Sequence, residues 1–184
     1  MGVHQLAVVA TRVITMSTAL KARAENIPMK TSLRDDDRKA IAEDLGRALA
    51  STYVLYHKTH GFHWNVTGPL FYSVHKLTDD QYQDLAEAVD DIAERIRALG
   101  APAPMGLAAY AKASVVEDIE DFPATGEMVR ELAADHLTVA DQMRDMVKRA
   151  EKASDVYTAD LLTARIGVHE EAAWMLNAIA IEKS

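Results

Sequence analysis

Four stretches of this chain place apolar side chains at intervals of three and four, the spacing that lines one face of an α-helix. Ile41, Leu45, Leu49, Tyr53 and Tyr56 form the first such face, and the pattern predicts a helix from about Asp35 to Trp64. Ser32 to Asp35 reads as a capping-box variant, with Asp35, Asp36 and Asp37 at the positive end of the helix dipole. The run NVTGP from Asn65 to Pro69 is a breaker. A second helix is predicted from about Leu70 to Leu99, with Phe71, Val74, Tyr82, Leu85, Val89, Ile92, Ile96 and Leu99 on its core sector, and it stops at Gly100. A third runs from about Gly126 to Lys152 on Leu132, His136, Val139, Met143, Met146 and Ala150. The fourth, from about Val156 to Ile181, turns Leu162, Ile166, His169, Ala172, Leu176 and Ile179 inward.

Between the second and third long helices, APAPMG is a stiff connector and GLAAYAKAS has room for one or two helical turns before the acidic stretch EDIEDFPATG. The expected class is all-α: four long helices and a short extra helix in the connection between the second and third. A chain of 184 residues is a single-domain length and buries about 70% of its unfolded surface. That domain is expected over residues 31–184, preceded by a flexible N-terminal extension over residues 1–30. The extension holds an apolar run, LAVVATRVI, but Arg12 interrupts it, and it reads neither as a signal peptide nor as a membrane span. Met16 resembles a start in its own right, so the first fifteen residues read as an upstream extension. Cysteine is absent, which excludes disulfides and thiol redox chemistry and fits a reducing cytoplasm.

The chemistry gathers between His57 and Gly100, where four of the seven histidines and a dense set of carboxylates straddle the NVTGP break. At about 100° per residue from His75, Asp79 falls near 40°, Asp90 near 60° and Glu94 near 100°, one stripe beside the core sector. Asp84, Glu87, Asp91 and Arg95 fall mostly on the far side. His75/Asp79 and Asp90/Glu94 are i,i+4 pairs, yet at about 1.5 Å per residue they lie roughly 16 Å apart, too far to share one ion. A second copy packed antiparallel about a two-fold axis near Asp84 and Leu85 brings the first pair of one chain to the second pair of the other, and makes two equivalent composite sites. His63, closing the preceding helix, adds another imidazole. Imidazole with carboxylate and no thiolate suits iron, manganese or zinc better than calcium or magnesium.

The run KTHGFHWNVTGPLFYSVH, followed by AVDDIAERIRALG, closely resembles the Dps family, the ferritin-like DNA-protection proteins of starved bacterial cells. The resemblance spans about Ala40 to the C-terminus, and the spacing of His63, His75, Asp79, Asp90 and Glu94 matches the family's ferroxidase pattern. It implies a ferritin-like four-helix bundle and a hollow homo-oligomeric shell, a dodecamer of twelve subunits. It also implies centres at the two-fold interfaces, with His63, His75 and Asp79 from one subunit and Asp90 and Glu94 from its neighbour. The activity implied is ferroxidase: Fe(II), at most two ions per centre, is oxidised by hydrogen peroxide or, less readily, dioxygen. Fe(III) is then stored and DNA spared oxidative damage. Glu94, Asp90 and His63 would carry the chemistry, and other divalent ions such as zinc would substitute for iron.

Of the five histidines outside that pattern, four lie on the predicted helices, and three acids join them as candidates. His57 and His60 read as packing or surface residues, while His136 and His169, on inward stripes, read as buried imidazoles, with His169 a candidate additional metal ligand. A true ferritin builds its site inside one bundle from Glu-x-x-His motifs, and no Glu or Asp here precedes a His by three. By a looser resemblance to the family's acidic pores, Asp135, Asp141 and Asp145 are candidates for cation entry. Trp64, beside His63, reads chiefly as a packing residue. The alternative function is a nucleoid-associated, DNA-compacting protein, but a formal charge of −8 and a pI near 5.3 oppose it. The segment before Thr31 carries only Arg12, Lys21, Arg23 and Lys30 against Glu25, a net +3, so DNA binding is expected to be weak.

Overall fold

A computed structural model of the chain describes residues 29–119 and 121–180. Among them are four long helices, α1 (Asp35–Asn65), α2 (Phe71–Ala98), α4 (Thr125–Lys152) and α5 (Val156–Ala180), with a short α3 (Leu107–Ala113) in the connection between α2 and α4. Each predicted helix is therefore present within a residue or two, and the all-α class holds. The extension expected over residues 1–30 lies, apart from Met29 and Lys30, outside the described residues, as does Ile181 at the expected end of the last helix.

Leu45, Leu49, Leu55, Leu85, Ile92, Ile96, Leu132, Met143, Leu162 and Leu176 form the fully buried centre. Short turns make α1 and α2 one antiparallel pair and α4 and α5 another; α1 also packs against α4 and α3, while α2 meets α5 more sparingly. Gly100 ends α2 at φ 89°, donating to the Arg97 carbonyl while Ala101 reaches back to Ile96, so the left-handed turn satisfies carbonyls the helix leaves open. Gly68 takes a left-handed φ of 84° in the α1–α2 turn, and its carbonyl accepts from the Phe71 amide at 3.0 Å. That turn is tied to the start of α4, where the Thr125 hydroxyl donates to the Thr67 carbonyl at 2.8 Å and accepts from the Thr67 amide at 3.3 Å.

Three expectations change. The start of α1 has no capping box: Arg34 is its N-cap without a side-chain cap bond, and its guanidinium forks onto Asp37 at 2.7 and 2.9 Å. Phe71, placed on the core sector of α2, is exposed, as is Trp64, which rests on His60 at 4.2 Å between ring centroids. Asp84 and Arg95, assigned to the solvent side, instead fasten α2 to the last hairpin. Arg165 grips both oxygens of Asp84 at 2.9 and 2.5 Å, and Arg95 does the same to Asp155 at 2.7 and 2.9 Å. A helix's polar sector is wide enough that its flanks still reach the neighbouring helix.

Candidate metal centre

The end of α1 and the start of α2 bring His63 and His75 face to face, their rings stacked 3.8 Å apart at 19°. The Nδ1–H of His63 donates to the His75 carbonyl at 2.9 Å, and the Nδ1–H of His75 donates to the His63 carbonyl at 3.0 Å. A carbonyl only accepts, so each Nδ1 must carry the proton, and each neutral ring then presents a bare Nε2 lone pair. The local sequence explains the exchange. His63 lies in the last turn of α1, where carbonyls lack partners within the helix, and the tight NVTGP turn returns the chain in time for His75 to supply one. Such an anchored Nδ1 is how metal-binding imidazoles are usually oriented.

Asp79 follows one turn along α2. Its carboxylate accepts from Lys76 at 3.1 Å, from the Tyr82 hydroxyl at 2.9 Å and from Gln83 at 3.0 Å. The Lys76 ammonium first, then the Tyr82 hydroxyl, hold its carboxyl down at about 2, so it is an anion at any physiological pH. Tyr82 also stacks on His60 at 4.1 Å and stands edge-on to His63 at 5.1 Å, which ties His60 to the site's support. His57, by contrast, is exposed. Neither the reach of Tyr82 nor that of Lys76 onto Asp79 was read from the sequence, although their i+3 and i−3 spacings are visible there.

Asp90 and Glu94 stand exposed further along α2, on the stripe that carries Asp79. Nowhere among the described residues do three His, Asp or Glu side chains of the single chain gather tightly enough to hold a metal ion. The single chain thus presents two separate groups: His63 at the end of α1 with His75 and Asp79 on α2, and the carboxylates of Asp90 and Glu94 further along α2. Around the first group lie exposed Trp64, Leu70, Phe71 and Tyr72, an apolar patch beside the ligand candidates.

His169 does not join this group. Expected as a candidate additional ligand, it is fully buried between α4 and α5, and its Nδ1 meets the Nδ1 of His136 at 2.9 Å. Burial pushes His136 down to about 4 and His169 well below its ordinary value, with Arg165 adding to both effects and Asp84 opposing the first. The unfolded imidazole takes its proton near pH 6.5 and the folded one only near 4, so the unfolded chain binds more protons in between. Stability from His136 is complete above pH 6.5 and falls as pH drops toward 4, by about 3 kcal/mol at most. Urea midpoints measured from pH 7.5 to 4.5 should fall over this window, and should fall less steeply in His136→Leu.

The pore candidates also divide. Asp135 is only 16% exposed and is bound at 2.8 Å to Lys58 of α1, whereas Asp141 and Asp145 are 76% and 67% exposed. Only the latter two have free faces, each against a helix neighbour, Arg144 and Lys148. Asp141→Asn with Asp145→Asn is therefore the informative pair; slower Fe(II) uptake at an unchanged folded stability is the expected result, read by stopped-flow absorbance and thermal melting.

Residues 42–182 match the ferritin-like domain family. An uncharacterized low temperature-induced protein of Nostoc sp. is 38% identical over 146 residues, 78% of this chain and 82% of that relative. A DNA protection during starvation protein of Brevibacillus brevis is 32% identical over 150 residues, 82% of this chain and 98% of the relative. Among solved structures, the Dps protein of Vibrio cholerae, a member of a broad superfamily of ferritin-like diiron-carboxylate proteins, superposes with a TM-score of 0.78. It is 29% identical and covers 88% of this chain and 99% of its own. Fold and sequence together define a ferritin-like helical-bundle protein. Within that class, the chain belongs to the Dps family.

Proposed function

We propose that this protein is a ferroxidase whose centres form between two subunits. His63, His75 and Asp79 of one face Asp90 and Glu94 of the other, within a hollow shell of twelve copies that stores the oxidised iron and so spares DNA from oxidative damage. The observation that carries the reading is the reciprocal clamp of His63 and His75, which leaves two Nε2 lone pairs side by side in a chain where, among the described residues, no three His, Asp or Glu side chains gather tightly enough to complete a site. The apolar patch around Trp64, Phe71 and Tyr72 supports a subunit contact adjoining these residues.

Iron is the substrate. Two Fe(II) give one electron each to hydrogen peroxide, whose O–O bond breaks and which takes two protons to leave as two waters; dioxygen is the slower oxidant. The chain's part is positioning and charge. The neutral imidazoles suit Fe(II), while the anionic oxygens of Asp79, Asp90 and Glu94 favour the extra positive charge of Fe(III). Lys76 occupies Asp79 Oδ2 in the free subunit and must swing away as an ion arrives. Stopped-flow oxidation of a few Fe(II) per subunit with stoichiometric peroxide, run beside sedimentation, tests the reading. Fast oxidation by a dodecamer is expected, and full-rate oxidation by a monomer refutes the composite centre.

A further inference from the structure

A cleft of about 290 Å³ runs between α2 and α5, with neither His63 nor His75 in its lining but His136 and Gln81 among it and Asp80, Asp84 and Glu171 beside them. His136 is 2% exposed and Gln81 7% exposed, yet His136 Nε2 and both polar atoms of the Gln81 amide have no hydrogen-bond partner among the described residues. Unmatched buried polar atoms are costly, at roughly 1–3 kcal/mol each, and three of them around one cleft mark a place built for something else to sit.

We propose that this cleft is a second cation site, within one subunit, which takes a hydrated divalent transition-metal ion through His136 Nε2 and the Gln81 carbonyl oxygen. No three His, Asp or Glu side chains converge there, so the ion keeps several waters, and Asp80, Asp84 and Glu171 act on it through those waters and through their charge. Three carboxylates against the one guanidinium of Arg165, which is itself paired with Asp84, leave the cleft net negative. An imidazole ligand selects Fe(II), Co(II) or Zn(II) over Mg(II) and Ca(II).

His169 is the positioning residue. The 2.9 Å contact between the two Nδ1 atoms allows one proton between them. When it belongs to His136 and is donated to His169, His136 Nε2 is a lone pair turned to the ligand; when it belongs to His169, His136 Nε2 carries a proton and cannot bind an ion. Binding therefore selects the first tautomer. Burial keeps both rings neutral, as ligation requires.

The test separates this site from the inter-subunit centre by removing the imidazoles of the latter. In His63→Ala/His75→Ala, which leaves that centre only carboxylates that Mg(II) can compete for, Co(II) titrated at pH 7 and followed by calorimetry and visible absorption is expected to bind once per chain, with excess Mg(II) failing to displace it. Adding His136→Leu should abolish that binding, and adding His169→Phe should weaken it about 10–100-fold while leaving the helical circular dichroism unchanged. Should His136→Leu not fold, Gln81→Met, which keeps the imidazole pair, is expected to weaken binding at least about tenfold. No residual Co(II) in the double variant, meaning a cleft that holds water only, overturns the proposal. So does residual binding that a folded His136→Leu, or in its absence Gln81→Met, leaves unchanged.

Discussion

Glu94→Gln is expected to remove most peroxide-dependent Fe(II) oxidation, and Asp90→Asn to do nearly the same, without dissociating the oligomer. Each substitution deletes a negative charge while keeping shape, so it strikes the one thing the exposed end of the α2 stripe offers. Losing a carboxylate raises the energy of the Fe(III) state more than that of Fe(II), and a rate loss of about 100-fold corresponds to roughly 3 kcal/mol at the barrier. Both residues are exposed in the subunit, so folding should be indifferent to them. His57→Ala, at an exposed position outside the half-site, serves as the control that keeps its rate. Stopped-flow absorbance beside sedimentation of each variant reads both halves of the expectation; wild-type rates in the two carboxylate variants would make the stripe a mere surface.

The largest effect on stability is expected at Lys58→Met. The Lys58 ammonium is buried and donates to Glu131 at 2.7 Å and Asp135 at 2.8 Å, joining the first helix to α4. Removing it leaves two neighbouring carboxylates, one of them well buried, with no cation. Breaking a buried pair from one side typically costs about 3–5 kcal/mol, though Glu131, which is more exposed, puts this case toward the lower figure. For a domain of this size each kcal/mol moves the melting temperature by about 2–4 °C, so a fall of roughly 6–12 °C is expected. Lys58→Met with Asp135→Asn and Glu131→Gln should recover much of it. A melting temperature unchanged in the single variant would show that the network contributes nothing.

Helix positions were legible because their apolar period is unbroken and their ends are marked by NVTGP and Gly100. The stripe of His75, Asp79, Asp90 and Glu94 was legible for the same reason, since a helix turns spacing into angle. Partners distant in sequence were not. Asp44 binds Arg149 from 105 residues away, and Lys58 reaches Asp135 across 77, and a charged residue on a helix flank carries no local mark of which charge will face it. That is why Asp84 and Arg95 read as solvated and Asp135 as a pore lining. Trp64 and Phe71 failed in the opposite sense: hydrophobicity predicts burial without saying whether the cover comes from the same chain. His136 and His169 were correctly read as buried, but their contact depends on how two antiparallel helices are aligned, which no motif records.

Mixing two inactive variants tests the composite centre most directly. One carries His63→Ala and His75→Ala, the other Asp90→Asn and Glu94→Gln, and the two are unfolded together and reassembled in equal amounts. Random pairing makes half the two-fold contacts mixed, and each mixed contact holds one intact centre and one lacking both halves, so about one quarter of all centres are restored. Fe(II) oxidation by the mixed shells should recover to about a quarter of the wild-type amplitude, with neither variant active alone. No recovery in mixed shells of normal size would contradict a centre shared between subunits.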